Sequence, residues 1–304
     1  MTTRSKPRLV VVVGPTGSGK TALAVDLAEH FGCPILSTDS RQVYRGMAIG
    51  TAQPSAEELS RARHYFIADR DVNDQLTAGA FADEALALLS QLFASHDVVV
   101  AVGGSGLYID ALCNGFDALP EADEDLRRRL QHRIDTEGLE SLVDELRSLD
   151  PEFCLSADLN NPARVMRALE VCLSSGRPYS AQRTAQPQQR PFEIVKIGIT
   201  MPREELYGRI NGRVDQMMAD GLEAEARALY PFRSLNSLQT VGYRELFDYF
   251  DGDISLPEAV ELIKRNSRRY AKRQMTWFRR DLTINWFEKN SNLVINFLTK
   301  KFAE

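Results

Sequence analysis

The segment GPTGSGKT at residues 14–21 constrains the fold of this chain more than any other feature. It fits the phosphate-loop pattern G-x-x-x-x-G-K-[ST] in full. The β-branched run Leu9–Val13 precedes the loop, and a segment with helical spacing, Lys20–His30, follows it. In that setting the backbone N–H groups, the helix N-terminus and the Lys20 ammonium all attract phosphate. The sequence therefore predicts a polyphosphate site between a buried strand and a helix.

Further strands and helices predict the fold class. Short apolar runs at Pro34–Thr38, Asp97–Val102 and Ile194–Thr200 read as buried strands, and Ala78–Phe93 reads as a helix. Strands that alternate with helices give an α/β fold, here a P-loop-type core with a parallel sheet flanked by helices. We expect residues 1–117 to form its first part, 118–192 a small all-helical insertion domain, and 193–304 its second part with basic C-terminal helices.

Composition limits the cellular setting and the cofactors. No apolar stretch approaches the roughly 18 residues that span a bilayer, so we expect no membrane association. The four cysteines are scattered, without a CxxC pair for zinc or redox chemistry, and fit a reducing cytoplasm. The histidines have no metal-ligand spacing, and we assign core or surface roles to all four: His30, His64, His96 and His132.

Charge is unevenly distributed along the chain. The formal net charge is −5, yet the stretch from Lys264 to Arg280 holds eight Lys or Arg and no acid. Ile263, Tyr270 and Gln274 recur there at helical spacing, which predicts a helix with one packed face and basic opposite faces. Such a stripe is typical of phosphate tracking along a nucleic acid. The alternative is a solvated surface helix.

The loop by itself leaves several functions open. A nucleotide hydrolase or small-molecule kinase would share it, but the chain lacks the Asn-Lys-x-Asp motif that reads guanine. The strand Asp97–Val102 also ends in Gly103-Gly104, where phosphoryl-transfer enzymes place a carboxylate for Mg²⁺. Asp39, at the end of the second strand, could be a general base, a metal-shell ligand or a simple loop cap.

Six motifs, in order, resemble those of the tRNA dimethylallyltransferase family over residues 8 to about 286. They are GPTGSGKT, DSRQVYRGM with IGTA, VGGSGLYI, ARVMRALEV, TVGYREL and AKRQMTWFRRD. The resemblance implies that the chain transfers the dimethylallyl group of dimethylallyl diphosphate to N6 of adenine 37 in the tRNA anticodon loop, with diphosphate as the leaving group. It also implies Mg²⁺ as cofactor and the tRNA anticodon stem-loop as partner, and we expect a cytoplasmic monomer.

The same resemblance implies roles for individual residues. Asp39 would be the general base, and Thr16 and Arg213 would act with it in catalysis, Arg213 by clamping the diphosphate. Thr21 would lie near the metal. The diphosphate would lie on Gly14, Pro15, Thr16, Gly17, Ser18, Gly19, Lys20 and Thr21. The tRNA would contact Asp39, Ser40, Arg41, Gln42, Ser105, Arg127, Ala163, Arg164, Val165, Met166, Arg167, Gln239, Thr240, Val241, Gly242, Tyr243, Arg244, Ala271, Lys272, Arg273, Gln274, Met275, Thr276, Trp277 and Phe278.

The chain departs from the family pattern at a few positions, and other functions stay open. Ala48 stands where relatives often have Asp, Gln53 where they often have Lys, and Ser105 where Thr is usual. An enzyme that prenylates free AMP or ADP would share the loop and Asp39 but would not need the basic helix or the insertion. A P-loop kinase that binds ATP and a non-catalytic RNA-binding protein are the remaining alternatives.

Overall fold

A computed structural model describes residues 6–117, 119–120, 123–183 and 186–303. The chain divides into two compact units, residues 1–113 with 189–304, and residues 114–188. Ala118 and Glu121, where the predicted insertion and its first charged helix begin, lie outside the described residues. No helix in the described ranges is long and apolar enough to cross a membrane.

The first unit is built on a six-stranded sheet whose strands all run parallel, in the order β3-β2-β4-β1-β5-β6. This confirms the predicted α/β class. The strands are β1 (Arg8–Val13), β2 (Ile35–Ser37), β3 (His64–Tyr65), β4 (Val98–Gly103), β5 (Glu193–Thr200) and β6 (Asn285–Glu288).

Helices cover both faces of this sheet. Along β1, Leu9, Val11 and Val13 pack into one buried cluster, while Val10 and Val12 pack into another on the opposite face. That alternation explains why the strand is apolar throughout. The helices of this unit are α1 (Lys20–Phe31), α2 (Ala56–Arg61), α3 (Ala78–Leu92), α4 (Gly106–Asn114), α10 (Arg203–Ala219), α11 (Leu222–Leu229), α12 (Tyr243–Asp251), α13 (Leu256–Phe278) and α14 (Ser291–Ala303), with short 3₁₀ turns at Tyr230–Phe232 and Asn236–Leu238.

Two helix boundaries matter most for the site. Helix α1 begins at Lys20, the seventh residue of the phosphate-loop motif, and ends at Phe31, where the following Gly32 takes the left-handed conformation with φ of 61°. Helix α13 begins with a capping box, in which Ser255 and Glu258 form reciprocal hydrogen bonds between side chain and backbone. Local residues therefore set both boundaries, Gly32 at the end of α1 and the capping pair at the start of α13.

The second unit is helical, and within residues 123–183 the structure contains no strand. Its helices are α5 (Glu124–Glu137), α6 (Leu139–Leu149), α7 (Pro151–Ser156), α8 (Pro162–Ser175) and α9 (Tyr179–Gln182). Its core includes Leu130, Leu142, Leu146 and Leu169, which are almost completely buried. The unit thus has its own apolar core.

Candidate active site

One cavity lies at the carboxyl edge of the sheet, where the loops after β1, β2 and β4 meet. Strand order changes direction beside β1, and in open parallel sheets ligands bind at such a point. The cavity is lined by Thr16, Lys20 and Thr21 from the phosphate loop, by Asp39 after β2, and by Arg213 of α10. The structure therefore brings together all the residues predicted to be catalytic.

Lys20 lies in this cavity under the influence of one opposite charge, on Asp39, and one like charge, on Arg213. Its ammonium donates a 3.4 Å hydrogen bond to the Pro15 carbonyl. Burial lowers the pKa of Lys20 from 10.5 to about 8, while the carboxylate of Asp39 opposes this shift and Arg213 adds to it. Desolvation also lowers the pKa of Arg213, and Arg209 contributes in the same direction. Lys20 and Arg213 lie close enough to interact, and their combined positive charge favours binding of a multivalent anion here.

Asp39 is held through one of its two carboxylate oxygens. Oδ1 accepts hydrogen bonds from the backbone N–H groups of Arg41 at 2.9 Å and Gln42 at 3.3 Å. Among the residues that the structure describes, none donates a hydrogen bond to Oδ2. The carboxylate therefore caps the loop with one oxygen and leaves the other available in the cavity.

Side-chain amides hold the loop after Asp39. Gln42 donates to the carbonyls of Thr51 at 3.2 Å and Ala52 at 2.8 Å. Gln53 donates to the carbonyls of Gln42 at 2.8 Å and Tyr44 at 2.9 Å. The glutamine that departs from the family pattern at this position therefore holds the two ends of this loop segment together. Ala48 is exposed, and nothing in the structure explains its identity.

Gln274 joins helix α13 to the phosphate loop. Its side-chain oxygen accepts a hydrogen bond from the Thr16 N–H at 2.9 Å, and its amide donates to the Gly104 carbonyl at 3.0 Å. A side chain at Gly104 would start 2.1 Å from that amide, so only glycine admits the contact. Gln274 is buried and lines the cavity.

Several residues of the predicted tRNA-contacting set are buried. Tyr243 is fully buried, and its hydroxyl donates to Glu225 at 2.7 Å, while burial raises its pKa. The same carboxylate accepts the N–H groups of Ile49 at 2.9 Å and Gly50 at 2.8 Å. Tyr243 thus helps to hold the loop beside Asp39. Ala271 and Phe278 are also buried, while Thr240, Val241 and the buried Gly242 line the cavity.

Lys264 and Arg268 of α13 have side-chain partners on α10. Lys264 pairs with Asp215 at 2.8 Å and Glu261 at 3.0 Å, and Arg268 donates to Asn211 at 2.6 Å. The remaining cations of the helix, together with Thr276, are exposed: Arg265, Arg269, Lys272 and Arg273. Trp277, half-buried, donates its indole N–H to Asp110 at 3.1 Å.

Other residues of the predicted tRNA-contacting set are less buried. After β2, Ser40 and Ser105 are joined, since the Ser40 N–H donates to the Ser105 hydroxyl at 2.9 Å. Arg41 lines the cavity, and its guanidinium donates to Asn236 at 3.3 Å. Gln239 and Arg244 are exposed, and Met275 is half-buried.

Within the second unit, two residues of the predicted tRNA-contacting set, Arg127 and Arg167, form ion pairs with a buried carboxylate. Glu170 has no exposed side-chain surface, and it pairs with Arg127 at 3.1 Å and Arg167 at 2.8 Å. Val165 is fully buried in the core of the unit. Ala163 and Arg164 are exposed and Met166 is half-buried.

Sequence reasoning missed most of the apolar side of the cavity. Among the apolar side chains that line it are Ile67 and Val102 from the first half of the chain and Ile210, Val214, Met217, Leu222, Val241 and Ile263 from the second, of which Val241 alone belongs to the predicted set. On α10, the spacing of Ile210, Val214 and Met217 is the same as that of ordinary core residues, so no sequence signal separates the two roles. His64, to which a core or surface role was assigned, also lines the cavity.

Comparison with known proteins agrees with this geometry. The family model described as IPP transferase matches residues 42–281. The chain is 51% identical to tRNA dimethylallyltransferase 1 of Bacteroides fragilis, over 92% of this chain and 93% of that protein. It is 50% identical to the protein of the same name from Phocaeicola vulgatus, over 94% and 96% of the two chains.

Solved structures give the same result. The crystal structure of the full-length tRNA isopentenylpyrophosphate transferase from Bacillus halodurans has a TM-score of 0.72 and 40% identity, with 97% of each chain covered. A eukaryotic dimethylallyltransferase acting on tRNA, at 22% identity, shares the fold with a TM-score of 0.76 over 93% of this chain and 74% of its own. This chain belongs to the IPP transferase family, the tRNA dimethylallyltransferases.

Proposed function

We propose that this enzyme transfers the dimethylallyl group of dimethylallyl diphosphate to N6 of adenine 37 in the anticodon loop of tRNA. One observation carries the proposal. A single cavity combines a phosphate loop, an available carboxylate oxygen on Asp39, and an apolar wall that includes Ile210 and Met217. A kinase needs the first of these features and can use the second, whereas a prenyl transfer also needs the apolar wall.

The diphosphate end of the donor would bind the phosphate loop. The N–H groups at the start of α1, the Lys20 ammonium and the Arg213 guanidinium would neutralise the charge that grows on the leaving diphosphate. The dimethylallyl chain would lie against the apolar wall, where its burial excludes water from the reacting carbon. Because each interaction strengthens as the carbon–oxygen bond breaks, this arrangement favours the transition state.

A divalent cation fits the oxygen groups present, and we propose Mg²⁺. The described residues contain no cluster of three or more acidic, histidine or cysteine side chains that could hold a metal by themselves. A side chain at Gly103 would start 2.2 Å from the Thr38 hydroxyl oxygen, so no carboxylate can replace it. Thr21 and the substrate diphosphate would hold the ion, which would supply charge neutralisation at the leaving group.

Asp39 would act at the acceptor end of the cavity. Its Oδ2 takes the N6 proton as the new carbon–nitrogen bond forms and the carbon–oxygen bond to diphosphate breaks. The N6 lone pair is delocalised into the purine ring, so a base beside it contributes to the rate. The adenine must leave its stack to reach this cavity, as in other enzymes that modify bases.

The acceptor RNA would be held by exposed basic residues. Arg265, Arg269, Lys272 and Arg273 are exposed on α13 and would follow phosphates of the stem. In the second unit, Ala163 and Arg164 are exposed at the start of α8. We propose that this helical unit also contacts tRNA, and that the enzyme works as a cytoplasmic monomer.

A displacement experiment separates this function from the kinase alternative. Labelled pyrophosphate is bound to the enzyme with Mg²⁺ and then challenged with dimethylallyl diphosphate, ATP or AMP. We expect dimethylallyl diphosphate to displace the label at much lower concentration than ATP, because only its dimethylallyl chain packs against the apolar wall. Stronger displacement by ATP would favour a kinase. Prenylation of free AMP at a rate equal to that of tRNA would favour the nucleotide prenyltransferase.

A further inference from the structure

One face of helix α13 lines the cavity. Its residues recur at helical spacing, and four of them belong to the lining: Ile263, Ser267, Tyr270 and Gln274. At one end of this face Gln274 contacts the phosphate loop, and at the other Ile263 belongs to the apolar wall. Among the described residues that line the cavity, Tyr270 alone carries a phenol, and it lies one turn before Gln274.

The Tyr270 hydroxyl lies near Ser105 and Asp39. It is within hydrogen-bonding reach of the Ser105 side chain. Ser105 in turn accepts the N–H of Ser40 at 2.9 Å, and Ser40 directly follows Asp39 in the chain. One turn further along α13, Gln274 bonds to the carbonyl of the residue before Ser105, so the helix packs directly over this loop. These contacts place the phenol at the Asp39 end of the cavity.

The surroundings of Tyr270 cover its ring and keep its hydroxyl protonated. The Arg273 guanidinium lies over the ring, 5.7 Å from its centroid. Burial raises the pKa of Tyr270 to about 12, and the charge of Asp39 acts in the same direction. The phenol is therefore a hydrogen-bond donor throughout the physiological pH range, whereas the Asp39 carboxylate only accepts. The cavity thus presents one donor and one acceptor close together.

This pair of groups matches the Watson–Crick edge of adenine. On that edge the N6 amine donates and the neighbouring ring nitrogen N1 accepts, whereas guanine has an acceptor at O6 and a donor at N1. A base that has left its stack can be read on this edge. With the N6 amine directed to Asp39, adenine N1 needs a donor beside it. Guanine in the same place would set its O6 against the carboxylate.

We propose that the Tyr270 hydroxyl binds the acceptor base by donating a hydrogen bond to N1 of adenine, while Asp39 receives the N6 proton. The inference rests on the proposed function, because it takes a tRNA adenine as the acceptor. Tyr270 directly precedes residues 271–278 of the predicted tRNA-contacting set and is not part of that set. The hydrogen bond would make Tyr270 a residue that selects adenine over guanine.

Anticodon stem-loop RNAs with one altered ring atom isolate this contact. With 1-deazaadenine at position 37, a C–H group replaces N1 and the hydrogen bond cannot form, whereas 7-deazaadenine keeps the Watson–Crick edge intact. Tyr270→Phe removes the hydroxyl and keeps the ring. Tyr207→Phe is the matched control, because Tyr207 is also half-buried, has Arg203 5.1 Å from its ring centroid and does not line the cavity.

The value of kcat/KM for prenyl transfer is measured on all three RNAs with the donor saturating. Each variant is compared with wild type on the same RNA, so the altered reactivity of the deaza bases cancels. We expect Tyr270→Phe to lower kcat/KM about 3- to 10-fold on the adenine and 7-deazaadenine RNAs and to leave it unchanged on the 1-deazaadenine RNA. Pyrophosphate binding should stay as in wild type, and Tyr207→Phe should behave as wild type on every RNA.

Three results would overturn the inference. An equal loss on all three RNAs would show that Tyr270 acts only through Ser105. A loss on the 1-deazaadenine RNA but not on the 7-deazaadenine RNA would place the contact at N7. Unchanged transfer by Tyr270→Phe on the adenine RNA would show that the hydroxyl does not bind the base. Wild-type enzyme that fails to prenylate the unaltered RNA would instead contradict the proposed function.

Discussion

The backbone N–H of Thr16 donates a 2.9 Å hydrogen bond to the side-chain oxygen of Gln274. The phosphate loop is thus fixed to the buried face of α13, while exposed cations such as Arg269 and Arg273 lie on the same helix. Since the Gln274 amide also donates to Gly104, one side chain ties together three segments. This relationship makes the position of the loop depend on the helix proposed to bind RNA.

Replacing Gln274 with Met should weaken donor binding without unfolding the protein. Met has a similar volume but leaves the Thr16 N–H and the Gly104 carbonyl unpaired, a cost of about 1 to 3 kcal/mol. We expect the KM for dimethylallyl diphosphate to rise roughly 10-fold while tRNA affinity is kept. Steady-state kinetics and a filter-binding titration measure the two. The exposed Gln216→Met serves as control, and an unchanged KM would show that the loop holds its position without Gln274.

Replacing Lys20 with Met should stabilise the ligand-free enzyme and abolish donor binding. The pKa of Lys20 is about 8 in the folded state and 10.5 when unperturbed. Between these values the unfolded chain holds the extra proton, so the free energy of unfolding rises with pH there and is flat below pH 8. The variant should lose this rise and gain about 1 to 3 kcal/mol at pH 7.

Chemical denaturation at pH 7 and at pH 9.5 measures that effect. The control is Met at Lys300, an exposed lysine in the last turn of α14. Unfolding of the Lys20 variant at lower denaturant concentration than wild type at pH 7 would show that burial of the Lys20 ammonium does not destabilise the folded state.

Asp39→Asn should separate base catalysis from loop capping. Asn keeps an acceptor oxygen for the N–H groups of Arg41 and Gln42, so the loop should stay in place. It cannot take the N6 proton, and general bases typically contribute about 10²- to 10⁴-fold in rate. Single-turnover transfer with both substrates saturating should fall by that factor, while donor and tRNA affinities change little. A loss below about tenfold would leave Asp39 as a cap only.

Removing the exposed cations of α13 should weaken tRNA binding in a salt-dependent way. With Arg265, Arg269, Lys272 and Arg273 all replaced by Gln, the slope of log affinity against log salt should fall by up to about 3 units. Pyrophosphate affinity should be unchanged. Replacing Lys300 and Lys301, which are exposed on α14, by Gln is the control for loss of positive charge outside α13. The same slope in wild type and the α13 variant would make this face an ordinary solvated surface.

Much of the core was predictable because its signals are local. Strands β1 and β4 are continuous apolar runs, and α1 is bounded by the loop and by Gly32. By contrast, β3 and β6 have only two and four residues, and pairing with longer neighbours makes them strands. No periodicity can be read from so few positions.

The residues of the candidate site also divide into those that local sequence predicts and those that it does not. The phosphate loop and Asp39 follow from a motif and from a strand end. Motif order could not distinguish residues that contact a ligand from those that hold the backbone, and Tyr243 and Val165 are fully buried. His64 gave no signal at all, because its place in the cavity depends on pairing between β2 and β3.

The most direct test of the central claim is mass spectrometry of tRNA nucleosides. Unmodified tRNA is incubated with the enzyme, dimethylallyl diphosphate and Mg²⁺, then digested, and the nucleosides are separated. We predict one product, adenosine that has gained a single dimethylallyl group, located at position 37, and none with Lys20→Ala. Adenosine of unchanged mass after incubation with folded wild-type enzyme that binds both substrates would contradict the account.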